Sequence, residues 1–142
     1  MNKVFKYYSF YIVVLILFSF LSCKKDSNEV PDVFVDVYLY TTEPAFAPLN
    51  ATSGYIYVTG GSKGIIVYRK SQTEFMAYER HCTYDVPTGS FVTVDASGLL
   101  AEDAACTSKF LITDGSPNQG PAINSLKQYQ TAFDGTVLHI FN

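Results

Sequence analysis

Residues 75–86 read Phe-Met-Ala-Tyr-Glu-Arg-His-Cys-Thr-Tyr-Asp-Val. Phe75, Ala77 and Glu79 alternate with Met76, Tyr78 and Arg80, the two-residue period of a strand. The strand then runs into a loop that carries Cys82 among aromatic, cationic and imidazole neighbours. A second cysteine, Cys106, follows another block of short extended segments. What these two thiols do is the question the rest of the chain must answer.

Working outward, valine, isoleucine, threonine and tyrosine recur, and long helix-forming runs are missing. That composition favours an all-β domain, and 142 residues suit a single one. Val33–Tyr40 alternates an apolar with a mixed face. Strands are also expected at Tyr55–Thr59, Ile65–Arg69, Glu74–Arg80, Phe91–Asp95, Leu99–Ala105, Lys109–Thr113, Leu126–Phe133 and Thr136–Phe141. Thr41–Asn50, with Pro44 and Pro48, reads as a connecting loop. Asp134-Gly135 reads as a two-residue hairpin with positive φ at both positions. Gly60–Gly64 reads as a turn; no helix follows it, so it is not a phosphate cradle. About nine short strands separated by turn residues make a β-sandwich or small barrel.

The N-terminus has a different character. Lys3 and Lys6 precede the apolar run Tyr7–Leu21, and Ser22 is a small residue before Cys23, the pattern of a secretory leader. Phe20-Leu21-Ser22-Cys23 resembles a bacterial lipobox, although an aliphatic residue is usual where Phe20 stands. Lys24-Lys25-Asp26-Ser27 resembles the charged start of lipoproteins from Bacteroidetes. The resemblance implies a signal peptide over 1–22, lipidation of Cys23, a polar tether over 23–31 and a domain over 32–142. It also implies a membrane-anchored protein of the cell envelope, in the outer membrane and either periplasmic or surface-exposed. The formal charge is −3; a chain beginning at Cys23 loses two lysines, keeps all 13 acids and is more acidic still. No basic stripe is left for nucleic acid.

From Ile65 to Ile140 the order of features resembles a Rieske iron–sulfur domain. The hairpin ending Phe75-Met76-Ala77-Tyr78 leads into a first cysteine loop, Cys82-Thr83-Tyr84. A small β-block leads into a second, Cys106-Thr107-Ser108-Lys109. Then come Asp114-Gly115, Gly120-Pro121-Ala122, Leu126-Lys127-Gln128-Tyr129 and the closing hairpin. The resemblance implies a Rieske-like β-sandwich of antiparallel strands. It also implies one cysteine and one histidine from each loop, the two histidines replacing cysteines on one iron of a [2Fe–2S] centre. Here the cysteines match and the histidines do not: Tyr84 and Lys109 stand at those positions. His81, directly before Cys82, is expected to point away from it, and Arg80 and His81 to be solvated. His139 is expected in the last strand, facing solvent or a tyrosine.

With the ligand histidines missing, the resemblance implies that Cys82 and Cys106 face each other in an oxidising compartment and form a disulfide. Such a bond would contribute about 3 kcal/mol by constraining the unfolded chain. Tyr84 would cover it and Lys109 would lie solvated at a strand start. The expected protein is an envelope lipoprotein with a degenerate domain, a structural or interaction module without cofactor or metal, with a protein partner in the envelope. The alternative is an electron-transfer protein whose [2Fe–2S] cluster is held by Cys82 and Cys106, with Tyr84, Lys109 or His81 standing in. Enzymatic chemistry finds no support in the sequence: there is no poised cysteine–histidine pair, carboxylate pair or metal-ligand cluster.

Overall fold

The structure is a computed structural model and describes residues 29–142. The expected signal peptide over 1–22, the expected lipidation site Cys23 and most of the expected tether lie outside the described residues. Ten strands follow in chain order: β1 (Asp36–Tyr40), β2 (Tyr55–Val58), β3 (Ile65–Arg69), β4 (Phe75–Glu79), β5 (Val92–Val94), β6 (Leu100–Asp103), β7 (Lys109–Leu111), β8 (Pro117–Gln119), β9 (Gln128–Phe133) and β10 (Val137–Phe141). They form a six-stranded sheet, β1-β10-β9-β4-β3-β2, and a four-stranded sheet, β5-β6-β7-β8. Every pairing is antiparallel. The all-β expectation holds.

β4 is the hinge of this arrangement. Its sequence alternates, yet all five of its residues are buried. Phe75 and Ala77 enter one core with Val35, Leu39, Leu49, Ile56, Val67 and Ile140, all from the large sheet and the segments flanking its strands. Met76 and Tyr78 enter a second core between the sheets, with Ile66, Val92, Ala101, Phe110, Ile112 and Cys82. A strand covered on both faces is apolar along its length, and β3, Ile-Ile-Val-Tyr-Arg, reads the same way. Cys82 is therefore the last buried position of a central strand's path, not the tip of an exposed loop.

Several local expectations change. Residues 44–50 form a 3-10 turn pinned by buried Leu49, whose carbonyl accepts from Arg69 Nη1 at 2.7 Å. The first strand begins at Asp36, and Phe34 before it is exposed. β8 was not expected: it is a three-residue edge strand starting with proline, where a missing N–H costs no ladder bond. The Asp134-Gly135 hairpin exists but is wider than two residues. Gly135 alone of the pair has positive φ, and Asp134 Oδ1 accepts from the amides of Thr136 and Val137. His139 stacks on Tyr38 at 4.1 Å, as expected.

Candidate thiol and carboxylate site

Two loops bring the site together. The first leaves β4 and is tied down at once: the Cys82 amide donates to Ser90 O at 3.1 Å, and His81 bridges to Phe91. The second leaves β6 and turns tightly back into β7. Thr107 N donates to Asp103 O at 2.8 Å and Asp103 N to Ser108 O at 3.0 Å. That turn puts Thr107 at φ 62, a left-handed conformation unfavourable for a β-branched residue. Such strain persists only where surrounding contacts over-determine the backbone.

Cys82 Sγ and Cys106 Sγ lie 3.8 Å apart as free thiols. The expected disulfide is thus not at bonding distance, about 2.05 Å. The reason is that each sulfur has other company. Cys106 Sγ sits 3.4 Å from Asp103 Oδ2 and 3.1 Å from Ser108 Oγ. Asp103 is buried, and is in turn held by Ser90 Oγ at 2.6 Å and by the Ala105 amide at 2.8 Å. Ser108 Oγ accepts from the Ala122 amide at 3.0 Å. Cys82, Asp103 and Cys106 offer ligand atoms all within 4.8 Å of one another. A groove of about 480 Å³ opens beside Cys106, lined by Tyr84, Asp85, Thr88, Ser90, Ala105 and Pro121.

The sequence reading missed Asp103. Its only sequence signal is a carboxylate three residues before Cys106, a spacing that means little until the turn closes.

Burial pushes the Cys82 thiol up to about 12, helped by its hydrogen bond to Asp103 and opposed by one to the Tyr84 backbone. Burial also works to raise Asp103. Hydrogen bonds from Cys82, Ser90, the Ala105 amide and Cys106 outweigh it and hold the carboxyl below its ordinary range. The Cys82 thiol therefore keeps its proton beside the Asp103 carboxylate. A consequence can be measured in the reduced protein. Below pH 9.0, the ordinary thiol value, Cys82 keeps its proton in both states. Between 9.0 and about 12 only the unfolded chain sheds it, so stability falls as pH rises. Buried Tyr78 and Tyr129 are raised as well, so the Cys82 share is the difference between wild type and Cys82→Ser. Urea midpoints across this window are expected to fall more steeply for wild type; parallel slopes would refute it.

The remaining expected site residues are placed elsewhere. Lys109 Nζ pairs with Glu102 Oε2 at 3.2 Å across β6 and β7. Tyr84 is exposed on the groove rim. His81 is buried, not solvated: Nε2–H donates to Val86 O at 2.9 Å, and Nδ1 accepts from Ser62 Oγ at 3.0 Å. Both ring nitrogens are engaged away from the thiols. Arg80 is not solvated either; its guanidinium lies between Tyr57 and Phe91, 4.4 and 4.8 Å from the ring centres.

Solved structures give the architecture a family context. The plasma-membrane Rieske protein PetC3 of the cyanobacterium Synechocystis PCC 6803 superposes with a TM-score of 0.58 at 20% identity, over 75% of this chain and 99% of that one. The fold is that of a Rieske domain. A chain from the complex of reduced oxygenase and oxidised ferredoxin in carbazole 1,9a-dioxygenase matches at TM-score 0.50 and 21% identity, over 73% of this chain and 93% of its own. No family model matches the sequence, and no curated protein matches it.

A Rieske fold raises the [2Fe–2S] centre, whose ligand set is two cysteines and two histidines. The thiols fit its cysteine half. The other half does not fit: both ring nitrogens of His81 are occupied, Lys109 is in an ion pair, and Tyr84 offers a phenol. In place of a second ligand pair the site presents the Asp103 carboxylate.

Proposed function

We propose that this chain is a lipid-anchored protein of the bacterial cell envelope. Its Rieske-type domain serves as a structural or interaction module, not as a conventional electron carrier. The observation that carries this reading is the paired thiols, 3.8 Å apart, in a site without available imidazole. Export by the leader, cleavage before Cys23 and acylation of that cysteine would tether the domain to the outer membrane. In an exported compartment the two thiols close to a disulfide. A thiolate attacks the disulfide of a dithiol–disulfide oxidoreductase, the resulting mixed disulfide is resolved by the second thiol, and the oxidoreductase leaves as its dithiol. The surface offered to a protein partner is the rim of the thiol loops, where Tyr84, Phe91 and Ile123 are exposed.

The test is made on protein isolated from the envelope of expressing cells with free thiols blocked at lysis. The expected product is an acylated chain starting at Cys23, in which Cys82 and Cys106 escape alkylation until reductant is added. Reduction is expected to lower unfolding stability by about 3 kcal/mol. Inhibition of the lipobox peptidase should leave a longer precursor. Alkylation of both thiols without reductant would sink the disulfide; unchanged mobility with the inhibitor would sink the anchor.

A second reading, electron transfer through a [2Fe–2S] cluster with unusual ligands, is favoured by one feature: the cysteine half of the ligand set is intact, and Asp103 supplies a third donor. Iron and sulfide near two each per chain, in brown protein purified without oxygen, would establish it.

A further inference from the structure

Two separations within the thiol–carboxylate site match one tetrahedral metal ion, and the site's three donor atoms all lie within 4.8 Å of one another. With metal–sulfur bonds of about 2.3 Å and metal–oxygen bonds of about 2.0–2.2 Å, tetrahedral angles put two sulfurs about 3.8 Å apart and a sulfur and an oxygen about 3.5 Å apart. Cys82 Sγ and Cys106 Sγ are 3.8 Å apart, and Cys106 Sγ and Asp103 Oδ2 are 3.4 Å apart. A disulfide needs a much shorter approach; the thiol hydrogen bonds between Cys82 and Cys106 and from Cys106 to Asp103 already hold the donors at these spacings.

We infer that in its dithiol state the protein binds a single thiophilic divalent cation of the zinc class through Cys82, Cys106 and Asp103. Two thiolates and a carboxylate suit such an ion, whereas hard cations such as magnesium prefer all-oxygen sites. Binding releases the two thiol protons, leaving three negative donors around the cation. The supporting contacts are those a metal site needs. The Ala105 amide fixes Asp103 Oδ1, Ser90 orients Oδ2, and Ser108 Oγ lies against Cys106. Three protein ligands leave a fourth position, and the groove beside Cys106, rimmed by Tyr84, Thr88 and Pro121, gives it access to solvent. A small donor, water or an added anion, would complete the shell. The inference rests on the same cysteine pair as the proposed function but on its reduced form, so the two can fail separately.

The experiment titrates the full chain, purified in detergent and held reduced without oxygen, with Co²⁺ as the probe. One equivalent is expected to give a thiolate-to-cobalt charge-transfer band, which Zn²⁺ abolishes by displacement. Asp103→Asn keeps the side chain's shape and is expected to weaken Co²⁺ binding by at least about tenfold; Cys106→Ser should remove the band. Gln130→Ala, exposed on β9, touches no ligand and should retain it, giving a folded comparison if Asp103→Asn is unstable. Absence of the band in protein whose two thiols still titrate would overturn the proposal. So would equal Co²⁺ affinity in folded Asp103→Asn, or native protein holding two irons with sulfide. Recovery of a disulfide from untreated envelope tests only the proposed function and leaves the cobalt result to stand or fall by itself.

Discussion

Replacing Glu79 with alanine is expected to destabilise the domain by about 3–5 kcal/mol, read as a shift of the urea midpoint. Glu79 ends β4 fully buried, and no cation pairs with it among the described residues. Its carboxylate is held by hydrogen bonds. Oε2 accepts from the Ser62 amide at 2.6 Å and from Tyr129 Oη at 2.8 Å; Oε1 accepts from the amides of Lys63 at 2.9 Å and His81 at 3.0 Å. Alanine would strand two buried donors, the His81 amide and the Tyr129 hydroxyl, each costing about 1–3 kcal/mol if nothing replaces the bond, and would free the part-buried amides of Ser62 and Lys63. The glycine turn is built for this contact. Gly61 has φ +61, and a methyl there would fall on the Glu79 carboxylate and the Tyr129 hydroxyl. Glu79→Gln keeps the shape and one acceptor oxygen, and so should lose less than alanine. A loss below about 1 kcal/mol for Glu79→Ala would show that water or backbone movement satisfies the donors.

Phe110→Ala is expected to cost about 3–5 kcal/mol. Phe110 is the central residue of β7, with no solvent exposure, in the core that joins the small sheet to β3 and β4. Its register partner is Ala101 of β6, a residue too small to fill the space the ring would leave. The same cluster holds Cys82, so the effect should reach the site. In the reduced variant, Cys82 is expected to alkylate faster while the far-ultraviolet circular dichroism stays β-type. A midpoint within about 1 kcal/mol of wild type would mean that the two sheets repack around the cavity.

Both residues show how far the sequence could be read. The alternation of β1 and β4 was legible, as were the segments of β3 and β10, and with them the all-β class. The order of the cysteine loops was legible too, and the resemblance it carried fits the observed fold. Glu79 sat in the alternation as an ordinary polar position, and nothing local distinguishes a solvated glutamate from one buried under four hydrogen bonds. Its partners lie 16, 17 and 50 residues away in the chain, apart from His81. Gly60–Gly64 was rightly taken as a turn that holds no phosphate, but its amides do cradle an anion, the chain's own carboxylate. Arg80 and His81 were misjudged for one reason: their neighbours, Tyr57, Phe91 and Ser62, come from other strands and turns.

By itself the sequence determined most of the strand-forming segments, the leader-like pattern of residues 1–22, and that tyrosine and lysine, not histidine, stand at positions 84 and 109. Those are properties of residue type and spacing. Only the tertiary structure decided that the cysteines stand 3.8 Å apart with Asp103 between their loops. That depends on packing two sheets across Tyr78, Cys82 and Phe110, because distances between side chains far apart in the chain are set by the core that brings their strands together.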